Sequence, residues 1–247
     1  MQQPLTDILE LVAQHAAAAT AEYRSAAARG VRVDLDEAQR GRHAVRRYDA
    51  DDEEPQTYFH SSRLPMMTLA SVYDALAQRI AACDDAAIGR MAVVLMLRYA
   101  DRTGLPITAH MMHRLFFAAI VVAVKMHQDV MPRNRTFARA VSMPVDEANR
   151  LERALLEGIG WQAVVTGAQV EATAARLRVL SAAAAASAAA SDAESADEGA
   201  AAAAAEGSVR RFAVAVASHD KAPLVSSVDS DYAPAAVGRM HGAAGRA

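Results

Sequence analysis

Cysteine and aromatic residues are scarce in this 247-residue chain. Cys83 is its one cysteine, which excludes an internal disulfide and fits a reducing compartment. Aromatic residues make up 5% of the chain, and much of the 53% hydrophobic content is alanine. The large apolar side chains that can fill a core lie mostly between residues 57 and 165. We therefore expect one folded domain of roughly 100 residues, a normal size for independent folding.

Neither strong charge of one sign nor a long hydrophobic run is present. The net charge of -3 and the pI of about 6.2 predict no general attraction to nucleic acid or to anionic lipid. The longest apolar run, Leu115 to Val124, is about half of the roughly 20 residues that span a bilayer. The N-terminus lacks the basic stretch of a secretory signal. We expect an intracellular protein, in the cytoplasm, the nucleus or both, without membrane contact.

Signatures of catalysis and of metal binding are also missing. The sequence contains no glycine-rich dinucleotide motif, phosphate loop or serine-nucleophile motif. His110 and His113 share a helical face, but no cluster of carboxylates or cysteines accompanies them. The sequence thus predicts a protein without catalytic residues, metal or cofactor.

Two flanks surround the expected domain. Residues 1–56 form an N-terminal extension that begins with a short amphipathic helix and contains the basic run 40–47. That run fits either a nuclear-import signal or a solvated linker neutralised by the acidic residues after it. Residues 166–247 begin with a short helix, at about 170–180, and continue as an alanine- and serine-rich tail. Large apolar side chains are too sparse in this tail to offset chain entropy, so we expect it to be disordered.

Residues 57–165 show the patterns of five helices, which predicts an all-α domain. The expected helices cover about 66–82, 86–103, 109–131, 135–140 and 144–159. Asp84 or Asp85 can cap the second helix and Gly104 can end it. The third is apolar on all sides from Leu115 to Val124, as expected of a helix at the centre of a bundle.

Two charged residues interrupt the apolar pattern. Lys125 directly follows the ten apolar residues of the central helix, and Glu152 falls within the apolar stripe of the fifth helix. A half-buried charge is costly unless it has a partner. One interpretation is an internal Lys–Glu pair, or a lysine that reaches water. The other is that both charges lie at the edge of a surface that binds another protein.

A set of short motifs in this region keeps the order and spacing of a known family. The motifs are Tyr73–Ile80, Tyr99–Arg102, Leu105–Thr108, His113–Leu115, Ala123–Lys125, Asp129, Asn134, Phe137–Ala138 and Asn149–Glu152. Over about residues 59–165 the chain resembles the cyclin box, and in particular the P-type (U-type) cyclins of the phosphate-pathway type. It has one box and no second copy.

The resemblance implies a function as well as a fold. Cyclins hold a cyclin-dependent protein kinase beside its regulatory helix, so the chain is expected to bind and activate such a kinase in cell-cycle, nutrient or growth control. Lys125 and Glu152 correspond to the residues that contact the kinase. Arg79 and Asp101 correspond to a structural salt bridge between the first two helices. The alternative is a cyclin-fold scaffold or transcription-related protein that acts without a kinase.

Overall fold

The computed structural model describes residues 4–29 and 56–194, with the backbone alone from residue 183 onward. The described residues form seven α-helices and one short 3-10 helix, which confirms the predicted all-α fold. The α-helices are α1 (Leu5–Ala28), α2 (Leu69–Ala77), α3 (Ala86–Thr103), α4 (Met112–His127), α5 (Asn134–Ala140), α6 (Val145–Gly158) and α7 (Gly167–Glu194). The 3-10 helix is Ala81–Cys83. The basic run 40–47 and the tail beyond 194 lie outside the described residues.

Helix α4 forms the centre of the domain. Every residue from Leu115 to Val124 is buried, so this part of the helix has no face in contact with water. Helices α3 and α6 pack along it, and α2 contacts its first half. Ten consecutive apolar residues thus predicted the central position correctly, because only an environment of other helices removes all of that surface from water.

The ends of α3 show capping that the sequence predicted. Asp85 lies before the first turn, and its side chain accepts a hydrogen bond from the Ala87 amide at 2.8 Å. Gly104 ends the helix in the left-handed conformation with φ of 68°, which costs glycine little because it has no Cβ.

Helix α2 is shorter than the sequence pattern suggested. It begins at Leu69, because the Thr68 side chain caps it by accepting from the Ser71 amide at 3.1 Å. It ends at Ala77, and Ile80 is extended. The Tyr73 hydroxyl lies 2.7 Å from the carbonyl oxygen of Cys83, which links α2 to the segment before α3. Burial is the main cause that raises the pKa of Tyr73 to about 12.

Helices α1 and α7 pack against each other and against the side of α3. Both are longer than the short helices expected, with 24 and 28 residues. The face of α1 that contacts the domain is apolar and buried, and its large members are Ile8, Leu9, Val12 and Tyr23. Leu5 lies directly over Gly89 of α3, where a Cβ would come within 2.4 Å of a Leu5 methyl group. The boundaries that we expected at residues 56 and 165 stay a prediction.

Gly158, the last residue of α6, allows that helix to approach α3 closely. A Cβ at this position would lie 2.4 Å from the ring of Tyr99, which is 1% exposed and cannot move aside. We expect Gly158→Ala to destabilise the protein by about 1–3 kcal/mol, the usual cost of overpacking a core. Thermal unfolding measures this. Gly167→Ala is the control, because nothing lies within 4 Å of its added Cβ. Equal midpoints for the two variants would contradict the prediction.

Candidate partner-binding surface

The structure brings Lys125 and Glu152 together. Lys125 lies in the last turn of α4, and Glu152 lies in the middle of α6. The lysine Nζ donates to Oε1 of Glu152 at 2.6 Å, and the two side chains are 29% and 15% exposed. The first of the two interpretations from sequence, an internal pair, is therefore present. The pair is nevertheless open to solvent on one side.

Two asparagines complete this group of polar residues. The side-chain nitrogen of Asn134, at the start of α5, donates to Oε2 of Glu152 at 2.5 Å. The same nitrogen donates to Oδ1 of Asn149 at 2.7 Å. Asn149 and Glu152 are three residues apart on α6, so they share a face of the helix. We call Lys125, Asn134, Asn149 and Glu152 the polar cluster.

The polar cluster keeps hydrogen-bonding capacity that its internal contacts do not use. A lysine ammonium group has three N–H donors, and each carboxylate oxygen accepts about two bonds. Within residues 4–29 and 56–194, Lys125 donates one hydrogen bond and each Glu152 oxygen accepts one. The partly exposed ion pair can therefore add hydrogen bonds to a partner without first breaking its own.

Exposed apolar side chains accompany the cluster along the chain. Met126 directly follows Lys125 and is 45% exposed. The segment that joins α4 to α5 contains Val130 and Met131, which are 85% and 58% exposed. Methionine is flexible and polarisable, which suits contact with another protein surface. Charge, free donors and apolar side chains thus occur together at this end of α4.

The turn after α6 contains a large exposed aromatic side chain. Trp161, the single tryptophan of the chain, is 67% exposed and has a φ of 63°. A positive φ is uncommon outside glycine, and exposed tryptophan is enriched where proteins bind each other. Trp161 was not among the residues predicted from the sequence to bind a partner, and its position just beyond an amphipathic helix was the available signal.

The predicted salt bridge between Arg79 and Asp101 is wrong. Arg79 lies two residues beyond the end of α2, and its guanidinium donates to the carbonyl oxygen of Ala140 at the end of α5. Asp101 faces the other way and receives two hydrogen bonds from Arg176 of α7, at 2.5 and 2.7 Å. The prediction assumed that Arg79 belongs to α2 and faces α3. Because α2 ends at Ala77, Arg79 lies outside the helix and its side chain points to α5 instead.

The ion pair between Asp101 and Arg176 lies close to α1. His15 of α1 is 4% exposed, and its burial, followed by the positive charge of Arg176, lowers its pKa to about 4. A neutral histidine and a neutralised arginine therefore lie between α1, α3 and α7. This arrangement serves the packing of the three helices.

The histidines considered as metal ligands have other contacts. His113 Nε2 lies 2.6 Å from the carbonyl oxygen of Met67, and burial lowers the pKa of its imidazole. His110 stacks on His60 with ring centroids 5.1 Å apart. The part of the chain that the structure describes contains no group of three or more residues suited to hold a metal ion.

A cleft of about 400 Å³ lies near the other half of α4. His113, Arg114 and Phe117 line it, together with Arg79 and the turn from Ala140 to Met143. Phe117 and Lys125 are eight residues apart, or about 12 Å along a helix. Lys125 and Glu152 do not line this cleft, so the cleft and the polar cluster are separate features of the domain.

Comparison with known proteins identifies the family. A family model described as "Cyclin" matches residues 8–163, which is more than half of the chain. The chain therefore belongs to the cyclin family. Cyclins are non-catalytic regulatory subunits, and the prediction that the chain is not an enzyme is confirmed on that basis.

A curated relative points to the branch of the family. Over 63 residues the chain is 36% identical to PHO85 cyclin-1 of Saccharomyces cerevisiae (strain ATCC 204508 / S288c). The matched segment is 25% of this chain and 22% of that protein, so only a small part of the relative's length is covered. With the family match, this similarity confirms the resemblance to cyclins of the phosphate-pathway type. Among residues 4–29 and 56–194, no helix has the length and apolar character needed to cross a membrane.

Proposed function

We propose that the chain binds and activates a cyclin-dependent protein kinase through the surface around Lys125 and Glu152. The observation that carries the proposal is a partly exposed ion pair directly after the buried stretch Leu115 to Val124, with exposed Met126, Val130 and Met131 next to it in the chain. Membership of the cyclin family and the similarity to PHO85 cyclin-1 support a kinase as the partner.

The mechanism follows from the two states of a kinase. A protein kinase is active only when its strand lysine pairs with the glutamate of its regulatory helix. A protein that binds this arrangement more tightly than the inactive one shifts the population toward it. Moving a 1:99 equilibrium to 99:1 needs about 5.5 kcal/mol of differential binding. Two hydrogen bonds to charged groups, at about 1.5–3 kcal/mol each, together with burial of apolar surface, supply that amount.

The surface is prepared for this task. Because Lys125 and Glu152 already neutralise each other, binding does not bury an isolated charge, which is the costly event at interfaces. The open donors of Lys125 suit carbonyl oxygens of the partner, and the Glu152 oxygens suit its amide groups. The exposed methionines and Val130 supply adjacent apolar area.

The test is purification of the tagged full-length chain from its native cells, with identification of co-eluting kinases and a phosphorylation assay. We expect one or more cyclin-dependent kinases to elute with the chain and to gain activity when the purified chain is added. Transcription components without a kinase would favour the scaffold alternative. The process under control, whether cell division or nutrient and growth signalling, follows from the substrates that the active complex modifies.

A further inference from the structure

The Asn134 side chain makes its hydrogen bonds to another helix and not to its own. It is the first residue of α5, and the residue before it, Arg133, makes no side-chain cap. The Asn134 side chain points instead to α6, where its nitrogen donates to both Glu152 and Asn149. An amide nitrogen has two hydrogens, so these two bonds use its full donor capacity.

The orientation of the amide group is fixed by chemistry. An ionised carboxylate only accepts hydrogen bonds, so the nitrogen of Asn134, and not its oxygen, must face Glu152. The Asn134 oxygen is buried and accepts no hydrogen bond from the described residues. Among those residues, the nitrogen alone holds the side chain by hydrogen bonds.

The two oxygens of Glu152 are thereby held from two different helices. Lys125 of α4 binds Oε1, and Asn134 of α5 binds Oε2. A carboxylate held at both oxygens cannot rotate about its terminal bond without losing one of them. Lys125, bound to the same carboxylate, is positioned with it.

We propose that Asn134 is a positioning residue for kinase binding, which holds Glu152 and, through it, Lys125 in the orientation that the partner contacts. This inference rests on the proposed function. Asn134 acts through Glu152, because both of its donors are used inside the domain. Interfaces built on residues held by such supporting bonds lose less side-chain entropy on binding.

The position of Asn134 also connects the polar cluster to the segment between α4 and α5. Asn134 directly follows the segment that contains Val130 and Met131. Its bonds to α6 fix the end of this segment relative to the polar cluster. The Asn134 side chain thus helps to hold the apolar segment with Val130 and Met131 in position beside the polar cluster.

Two substitutions separate positioning from simple packing. Asn134→Ala removes both donated bonds. Asn134→Asp keeps the shape but replaces the donor with a second carboxylate beside Glu152, which repels it and competes for Lys125. We expect the chain concentration for half-maximal activation of the co-purified kinase to rise about tenfold for Asn134→Ala and further for Asn134→Asp. Maximal kinase activity at saturation stays at the wild-type level. If the isosteric Asp variant activates at the wild-type concentration, the positioning role is overturned.

A compensating variant gives a readout that a packing role does not move. In Asn134→Asp with Glu152→Gln, the glutamine amide donates to the new carboxylate, so the bond forms again with its direction reversed. Because Glu152→Gln alone removes a charge that the partner contacts, the effect of Asn134→Asp is measured in both backgrounds, and we expect it to raise the half-maximal concentration less in Glu152→Gln than in the wild type. An equal or larger fold-increase in the Glu152→Gln background contradicts the proposal. Midpoints of thermal unfolding, measured in parallel, show whether each variant is folded.

A measurement without the kinase distinguishes failure of this inference from failure of the proposed function. In nuclear magnetic resonance of the full chain, we expect the side-chain amide protons of Asn134 to exchange slowly with solvent and to lose that protection in Glu152→Ala. Fast exchange in the wild type overturns the inference, whatever the kinase does. Slow exchange would show that the contact between Asn134 and Glu152 exists. If the Lys125 and Glu152 variants nevertheless bind the kinase as well as the wild type does, the proposed binding surface is refuted, and with it the positioning role of Asn134.

Discussion

Replacing both Lys125 and Glu152 by alanine is expected to leave a folded protein that no longer activates its kinase. Removing the two partners together leaves neither of the two charges unpaired, and Asn134 loses its bond to Glu152 but keeps its bond to Asn149, so we expect the thermal midpoint to fall only slightly. Lys125→Ala alone leaves Glu152, which is 15% exposed, without its cation and should be less stable than the double variant. Loss of two hydrogen bonds to charged groups predicts kinase affinity lower by about 100-fold or more.

A second ion pair between the same two helices is a matched control. Arg114 in the first turn of α4 pairs with Glu147 in the first turn of α6, and the two side chains are 27% and 28% exposed. Arg114→Ala with Glu147→Ala also removes an interhelical pair, but it leaves the polar cluster intact. Surface plasmon resonance with the purified kinase measures both double variants. Equal affinity for the two would show that the kinase does not contact Lys125 and Glu152.

Asp101→Ala is expected to have the largest effect on stability among the charge substitutions. The change removes both hydrogen bonds that Asp101 accepts from Arg176, a residue that is 23% exposed and lies close to the buried neutral His15. Loss of a two-bond, mostly buried ion pair predicts destabilisation by about 2–3 kcal/mol. In a chain of this size, that corresponds to a thermal midpoint lower by about 5–10 °C.

Arg79→Ala tests whether Asp101 pairs with Arg176 and not with Arg79. Arg79 is exposed and bonds the carbonyl oxygen of Ala140, so we expect its removal to change stability by about 1 kcal/mol or less. If instead Arg79→Ala and Asp101→Ala lower the midpoint equally, and their effects are not additive, the two residues are paired in solution.

The features that the sequence predicted correctly depend on neighbours in the chain. The caps of α3 at Asp85 and Gly104 and the central place of α4 follow from local hydrogen bonds and from an unbroken apolar run. The beginning of α6 also follows, because Pro144 immediately precedes its first residue, Val145.

The features that the sequence missed or left open depend on residues far away in the chain. Asp101 pairs with a residue 75 positions later, on a helix whose extent the alanine-rich sequence did not indicate. The partner of Lys125 is 27 positions away, and periodicity alone could not distinguish that contact from one made to another protein. Asn134 was visible as part of the family pattern, but its role required the geometry of α5 against α6.

The all-round burial of α4 has a consequence for how the chain unfolds and how it tolerates cleavage. If one of the helices around α4 detached, part of the apolar stretch Leu115 to Val124 would be exposed to water. The helices around α4 should therefore unfold together in one cooperative transition. A truncated chain that lacks α6 would expose part of the ten-residue apolar stretch and should aggregate rather than persist as a smaller unit.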